Sequence, residues 1–236
     1  MESRMRLKKS LYIVSLASAA SVLGLFEIPM GLPWLKIDLS EVVILISAIT
    51  IGYKGAFGVI GVRSIIRRLT LGFLPSEIIG ELIAVVASLV ILFAHYLATR
   101  LSKTHRAPLI YEIPVERPRF SLKETLITMV VITFSLAVVL LVFNFLVATP
   151  LYLSVLNALE LRAFPTTTIH FTVFTFFKDP GILVMLEAFG VTLEEPYLPS
   201  FFVYILVMYA PLNIGKGVTT SLVYMLLKPR IMQIEL

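Results

Sequence analysis

The chain has 236 residues, 58% of them hydrophobic and only 15% charged, with a mean hydropathy of +0.94 and a formal net charge of +5. Soluble domains are about half apolar and about a quarter charged, so this composition excludes a soluble globular domain and points to an integral membrane protein. The absence of cysteine rules out disulfides, thiolate metal sites and thiol nucleophiles. The basic balance reads as lysines and arginines at cytoplasmic helix ends, not as nucleic-acid binding.

In chain order, Arg4, Arg6, Lys8 and Lys9 precede an apolar run over residues 11–28 that spans roughly 27 Å as a helix. No typical small-residue cleavage site interrupts it, so this first helix is expected to be retained. Ser15/Ala19, Ala17/Ser21 and Ala20/Gly24 are small pairs at four-residue spacing, a ridge that admits close approach by a neighbouring helix of the same chain or by a partner subunit. A Pro/Gly loop from Met30 to Asp38 follows, with Trp34 suited to the membrane interface. Helix two is expected over 40–52, capped by Ser40 or Asp38. A tight cytoplasmic turn at 52–55 leads to helix three over 56–71. Arg63, Arg67 and Arg68 on helix three are read as snorkelling or as paired with Glu77 or Glu81, in preference to contacting an anionic substrate group.

Helix four is expected over 76–100. The polar, basic stretch 101–123 reads as a cytoplasmic loop, and helix five is expected over 122–148 with Asn144 as its only amide. A long external segment, 149–197, carries an excess of acidic residues. Its apolar part is broken at Lys178-Asp179-Pro180-Gly181, which suggests interfacial or re-entrant half-helices. Helix six takes 198–227, and Lys228 and Arg230 return the chain to the cytoplasm. The expected architecture is all-α: a single transmembrane domain over 1–236, a bundle of six transmembrane helices in the cell membrane with both termini cytoplasmic.

No phosphate loop, H-E-x-x-H or G-x-S-x-G motif occurs, and the three histidines are scattered, so no metal and no cofactor are expected and an enzyme is disfavoured. What stands out is P-L-N-I-G-K-G, Pro211 to Gly217, inside the last apolar run. A lysine at mid-bilayer costs at least roughly 2.5 to 3.5 kcal/mol, so Lys216 should face a partner, a cavity or a ligand. Asn213, three residues earlier, projects from the same face. The topology brings these two toward the outer half together with Asp38, Ser40, Glu41 and Asn144, as candidate binding groups.

Three strings, L-K-I-D-L-S-E (Leu35 to Glu41), N-F-L-V-A-T-P-L-Y (Asn144 to Tyr152) and P-L-N-I-G-K-G, resemble those of the riboflavin-specific substrate-binding subunit, the S component, of energy-coupling-factor vitamin transporters. The similarity covers most of the chain. It implies a six-helix bundle that captures riboflavin, with its phosphate as a further candidate, and that works with a membrane coupling protein and two ATPase subunits. It also implies that Asn144, Asn213 and Lys216 contact the flavin, that the loop holding Leu35 and Asp38 covers it, and that the ridge of Ala17, Ala20, Ser21 and Gly24 docks on the coupling protein. An amide and an ammonium do match the imide edge of a flavin.

The alternatives are an S component for another vitamin or nucleobase-like compound, an intramembrane enzyme using Glu77 or Glu81 with the arginines, and a non-catalytic membrane scaffold. In a scaffold, Lys216 should pair with a carboxylate of the same chain.

Overall fold

Inside lipid every peptide N–H and C=O must be satisfied within its own element, so the long aliphatic runs of this chain have little choice but helix. The computed structural model describes residues 2–26, 28–30, 32–37, 39–102, 122–162 and 168–231. Helix α1 covers Glu2–Leu23 and starts well before residue 11, because the basic segment continues the helix below the apolar run. A two-stranded antiparallel ribbon follows, β1 (Ile28–Met30) pairing with β2 (Leu32–Ile37) in the register Ile28↔Ile37 and Pro29↔Lys36. The sequence alone suggests an irregular loop here; a two-stranded ribbon tolerates Pro29 because it has only edges. Then come α2 (Ser40–Thr50), α3 (Tyr53–Leu71) and α4 (Pro75–Leu101).

Helix α5 (Leu122–Phe143) does not stop at residue 148. It continues through a π-helical turn (Asn144–Ala148) into α6 (Thr149–Val155) and a second π-helical stretch (Leu156–Leu161). A proline removes one helical donor, and Pro150 therefore looks like a stop. The wider turn before it shifts the hydrogen-bond pattern, with the Thr149 N–H donating to the Asn144 carbonyl. Short helices α7 (Val173–Phe176) and α8 (Pro180–Ala188) lead to α9 (Tyr197–Ile231), which runs unbroken through Pro211 and Pro229.

Side-chain contacts fix how the helices run. A Cβ on Gly58 would meet Ile13 and one on Gly24 would meet Arg67, so α1 and α3 are parallel neighbours. Arg63 bonds to Ser40 of α2 and Ser88 of α4, while Tyr53 bonds to His95, so α2 and α4 both run antiparallel to α3. Gly217 touches Thr133 and Lys228 pairs with Glu124, which sets α9 antiparallel to α5. The start of α1 and the end of α9 consequently share one end with Tyr53, here the lower end. Ser40, Glu81 and Lys216 lie toward the upper end.

Among the described residues three helices are long and apolar enough to cross a membrane: Pro75–Leu101, Leu122–Leu159 and Tyr197–Ile231, with Ser40–Thr50 as a shorter apolar helix. The interior divides into three cores. One joins α1, α2 and α3 around Ala17, Ile44 and Val59. The second joins α2, α4, α5 and α9 around Leu45, Ile91 and Tyr224. The third is built from the upper parts of α6 and α9 with α7 and α8, around Phe176, Met185 and Phe201. The segment after residue 149 is thus a packed helical cap. Its Lys178-Asp179-Pro180-Gly181 break is a helix start: the Asp179 carboxylate accepts from the Gly181 N–H at 3.0 Å and Pro180 occupies the first turn.

Candidate functional site

The amino end of α2 is the centre of a buried polar region. Ser40 and Glu41 are both wholly buried, an unusual place for a carboxylate. Glu41 sits in the first turn of α2, where the helix dipole favours negative charge, and its Oε1 lies 2.6 Å from Lys216 Nζ of α9. Taking either ion out of water alone would cost several kcal/mol, so each is tolerated because the other is there. Lys216 therefore has a carboxylate of the same chain as its partner. That pairing is what a scaffold would show, and equally what a ligand site with a positioned ammonium would show.

The neighbouring residue carries the polar region onward. Ser40 Oγ accepts from Arg63 Nη1 at 3.0 Å, and the same nitrogen donates to Ser88 Oγ at 3.0 Å. Beyond Arg63 lies Glu81 of α4, with Arg63 at 3.8 Å, Arg67 at 3.6 Å and Arg68 at 3.7 Å; Arg68 is also 3.7 Å from Glu77. The arginines do pair with Glu77 and Glu81, as the sequence suggests. An acid–base role for those carboxylates would have to compete with these ion pairs.

Asn213 and Lys216 fall on adjoining turns of α9, and Gly217 explains why that face can come so close to α5. A Cβ at Gly217 would lie 2.7 Å from the Thr133 Cα, so only glycine permits this contact. Asn213 is buried, and its Nδ2 finds no acceptor among the described residues. Asn144, also buried, spends its Nδ2 on the Leu140 carbonyl at 2.7 Å, whereas its Oδ1 finds no donor there. The two amides offer opposite halves: Asn213 an available donor, Asn144 an available acceptor. A buried amide edge left so costs about 1–3 kcal/mol, the kind of cost that a ligand can repay.

The remaining sequence-derived site residues fall into two groups. Asp38 and the side chain of Leu35 lie outside the described residues. Ala17, Ala20, Ser21 and Gly24 are all buried within the chain. Ala17 packs among Ile44, Ala48, Ile51 and Val59; Ser21 Oγ donates back to the Ala17 carbonyl at 2.8 Å; and Gly24 lies against Arg67. Their small size lets α1 approach α2 and α3, the internal use of the ridge, while the third small pair, Ser15 and Ala19, is exposed. The aromatics Tyr197, Phe201 and Tyr204 are absorbed in the cap, with Phe177 on Tyr197 at 6.0 Å and Phe201 on Tyr204 at 6.2 Å between ring centres.

Sequence reasoning missed the link between Lys216 and Glu41, because no carboxylate lies near Lys216 along the chain. The signal was present in Glu41 itself, a carboxylate heading an apolar helix. Ser88 was missed outright, and only its position two helical turns beyond Glu81 could have placed it on the arginine-facing side of α4.

The family model described as the substrate-specific component of ECF transporters matches residues 9–228. A solved structure described as the S component of a bacterial ECF transporter aligns over 96% of this chain and 96% of that chain, with a TM-score of 0.58 and 20% sequence identity. At that identity the likeness establishes the fold. Among curated proteins none matches this chain.

Proposed function

Because the chain belongs to the family of substrate-specific components of ECF transporters, we propose that it is the riboflavin-binding subunit of an ATP-driven vitamin importer. The observation that carries this reading is the pair of wholly buried Glu41 with half-buried Lys216, beside Asn213, in a chain whose three family-like strings fall at the β2–α2 connection, the α5–α6 junction and α9. An isoalloxazine ring is flat and apolar on its faces, with an imide edge of two carbonyls and one N–H. Asn213 Nδ2 can donate to one carbonyl, and Lys216 can donate to the other while Glu41 holds it in place. Asn144 Oδ1 can accept from a ribityl hydroxyl, the loop holding Leu35 and Asp38 covers the ligand, and Ser40 lines the site from the start of α2. No covalent step is involved.

In this reading six helical elements span the cell membrane, both termini are cytoplasmic, and the upper end faces outward to capture substrate. A membrane coupling protein and two ATPases supply the energy. Docking uses the open face of α1, around Ser15 and Ala19, with Ala17, Ala20, Ser21 and Gly24 holding that helix tightly against its neighbours. Mass spectrometry of ligand extracted from the mildly purified protein tests the assignment. Riboflavin at a substantial fraction of one per chain is expected; recovery of a different vitamin or a nucleobase would replace the substrate while leaving the transport role.

A further inference from the structure

The cap formed by α7 and α8 is apolar on both of its sides, which a water-facing cap would not be. From Pro180 to Leu186, α8 contains no polar side chain. Its inner residues, Ile182, Met185 and Leu186, are buried in one core with Phe176 and Phe201. Pro180, Val184 and Ala188, spaced four apart on another face, are exposed, Val184 by 50%. Phe171 and Phe174 add two open aromatic rings, at 66% and 64% exposure, and Phe189 a third at 45%. A helix on a soluble surface carries polar residues on its outer face, whereas one that is apolar all round is enclosed by protein or by lipid.

Depth points to lipid. Phe177 stacks on Tyr197 at 6.0 Å and meets Phe201 edge-on at 5.2 Å between ring centres, so α7 stands level with the first turns of α9. Helix α9 is long and apolar enough to cross a membrane, and Lys228, paired with Glu124, marks its charged lower end. From Lys228 up to Phe201 a helix rises roughly 40 Å, close to the ~40–45 Å of a bilayer with both headgroup regions. With Lys228 at the lower headgroups, the cap falls at the upper ones. Below it, Phe202, Val203 and Val207 of α9 are exposed too, so apolar surface continues from the cap down a helix able to span the membrane.

We propose that α7 and α8 form an interfacial anchor, in which the face bearing Phe171, Phe174, Val184 and Phe189 is immersed at the boundary between headgroups and acyl chains of the upper leaflet. Its partner is the lipid surface itself. Interfacial helices bury their apolar face about 5–10 Å into that boundary. The exposed charges around the cap are Lys178 against Glu187, Glu194 and Glu195, so apolar burial holds it there and attraction to anionic lipid does not. The same core reaches down to Tyr209, one turn above Asn213, and the anchor therefore ties the part of α9 that leads into the polar region to the membrane surface. The inference rests on α9 crossing the membrane and not on the flavin.

The test uses the full chain in nanodiscs. Trp34 is the single tryptophan, so Trp34→Phe gives a dark background in which Phe174→Trp reports on the cap and Val207→Trp on α9. Phosphatidylcholine brominated near the headgroup should quench the reporter at 174 by about half or more, and equally with and without added phosphatidylglycerol. Bromines deep in the acyl chains should quench the reporter at 207 more strongly than the one at 174. Should Phe174→Trp fail to fold, Val184→Trp, on the exposed stripe of α8, is read in the same way. Quenching at 174 by aqueous acrylamide but not by bromines would mean a water-facing cap and overturn the anchor. Shielding from both quenchers would mean that protein covers this face, a second copy if the discs hold two chains, and would overturn it too. Loss of bromine quenching at both positions would take α9 out of the bilayer and the anchor with it, whereas failure to bind riboflavin, with bromine quenching at 174 intact, would overturn the flavin reading alone.

Discussion

The two ends of the bundle solve the problem of buried polarity differently. At the lower end Tyr53 Oη lies 3.0 Å from His95 Nδ1, and His95 Nε2 lies 2.7 Å from Tyr224 Oη. Tyr53 also reaches Thr99 at 3.3 Å, and Lys228 pairs with Glu124 while standing 6.0 Å above the Tyr224 ring. Both imidazole nitrogens are used, and the chain of bonds ties α3, α4, α5 and α9 together. At the upper end the polar groups are charged, paired at longer range around Glu81, and include donors and acceptors without partners among the described residues in Arg63, Asn144 and Asn213. A closed network holds helices in register; an open one keeps interactions in reserve. The difference assigns rigidity to the lower end, and in the proposed reading recognition belongs to the upper.

Breaking the upper pair should have the largest effect. Glu41→Leu takes the 2.6 Å carboxylate from a largely enclosed Lys216 and should cost up to about 3–5 kcal/mol, seen as a marked fall in melting temperature in detergent. Adding Lys216→Met should recover most of that loss while leaving riboflavin binding abolished, which separates the structural from the ligand role of the pair. A double variant as unstable as the single one would show that the pair does not act as a unit.

The seam between the ends depends on Gly217. Gly217→Val should cost roughly 1–3 kcal/mol or more, because its Cβ would press on the Thr133 backbone, and binding should weaken with it since Lys216 and Asn213 share that helix face. At the lower end Tyr224→Phe leaves a ring nitrogen of His95 without its partner, for roughly 1–3 kcal/mol, yet riboflavin affinity should stay within about twofold of wild type. A large loss of affinity in Tyr224→Phe would erase the distinction between the two ends. The smallest effect belongs to the cap: Asp179→Ala should cost about 1 kcal/mol and raise hydrogen exchange in α8 while leaving α4 protected.

Much of this arrangement is legible in the chain. Apolar run length locates α2, α3, α4 and α9 to within a few residues, and the odd lysine at 216 points to a polar region inside the bundle before any contact is known. The α3–α4 ion pairs are legible too, because the arginines and Glu77 and Glu81 flank one short connection. What escapes is non-local or compensatory. Glu41 and Lys216 meet only once α2 is set against α9, and no sequence spacing reports that. Pro150 signals a stop that the preceding π-helical turn cancels. The small ridge on α1 signals close packing without saying against what, and its buried members prove to face residues of the same chain, Ala17 toward Ile44 and Val59 and Gly24 toward Arg67.

The most direct measurement is a riboflavin titration of the purified wild type and of Lys216→Met, followed by quenching of flavin fluorescence. Saturable quenching at one riboflavin per chain, at micromolar concentration or below, with at least about a tenfold weakening in Lys216→Met, is expected for a hydrogen bond between a charged donor and the ligand. Absence of quenching in the wild type, or equal affinity in the two proteins, would contradict a flavin site built on the Glu41–Lys216 pair.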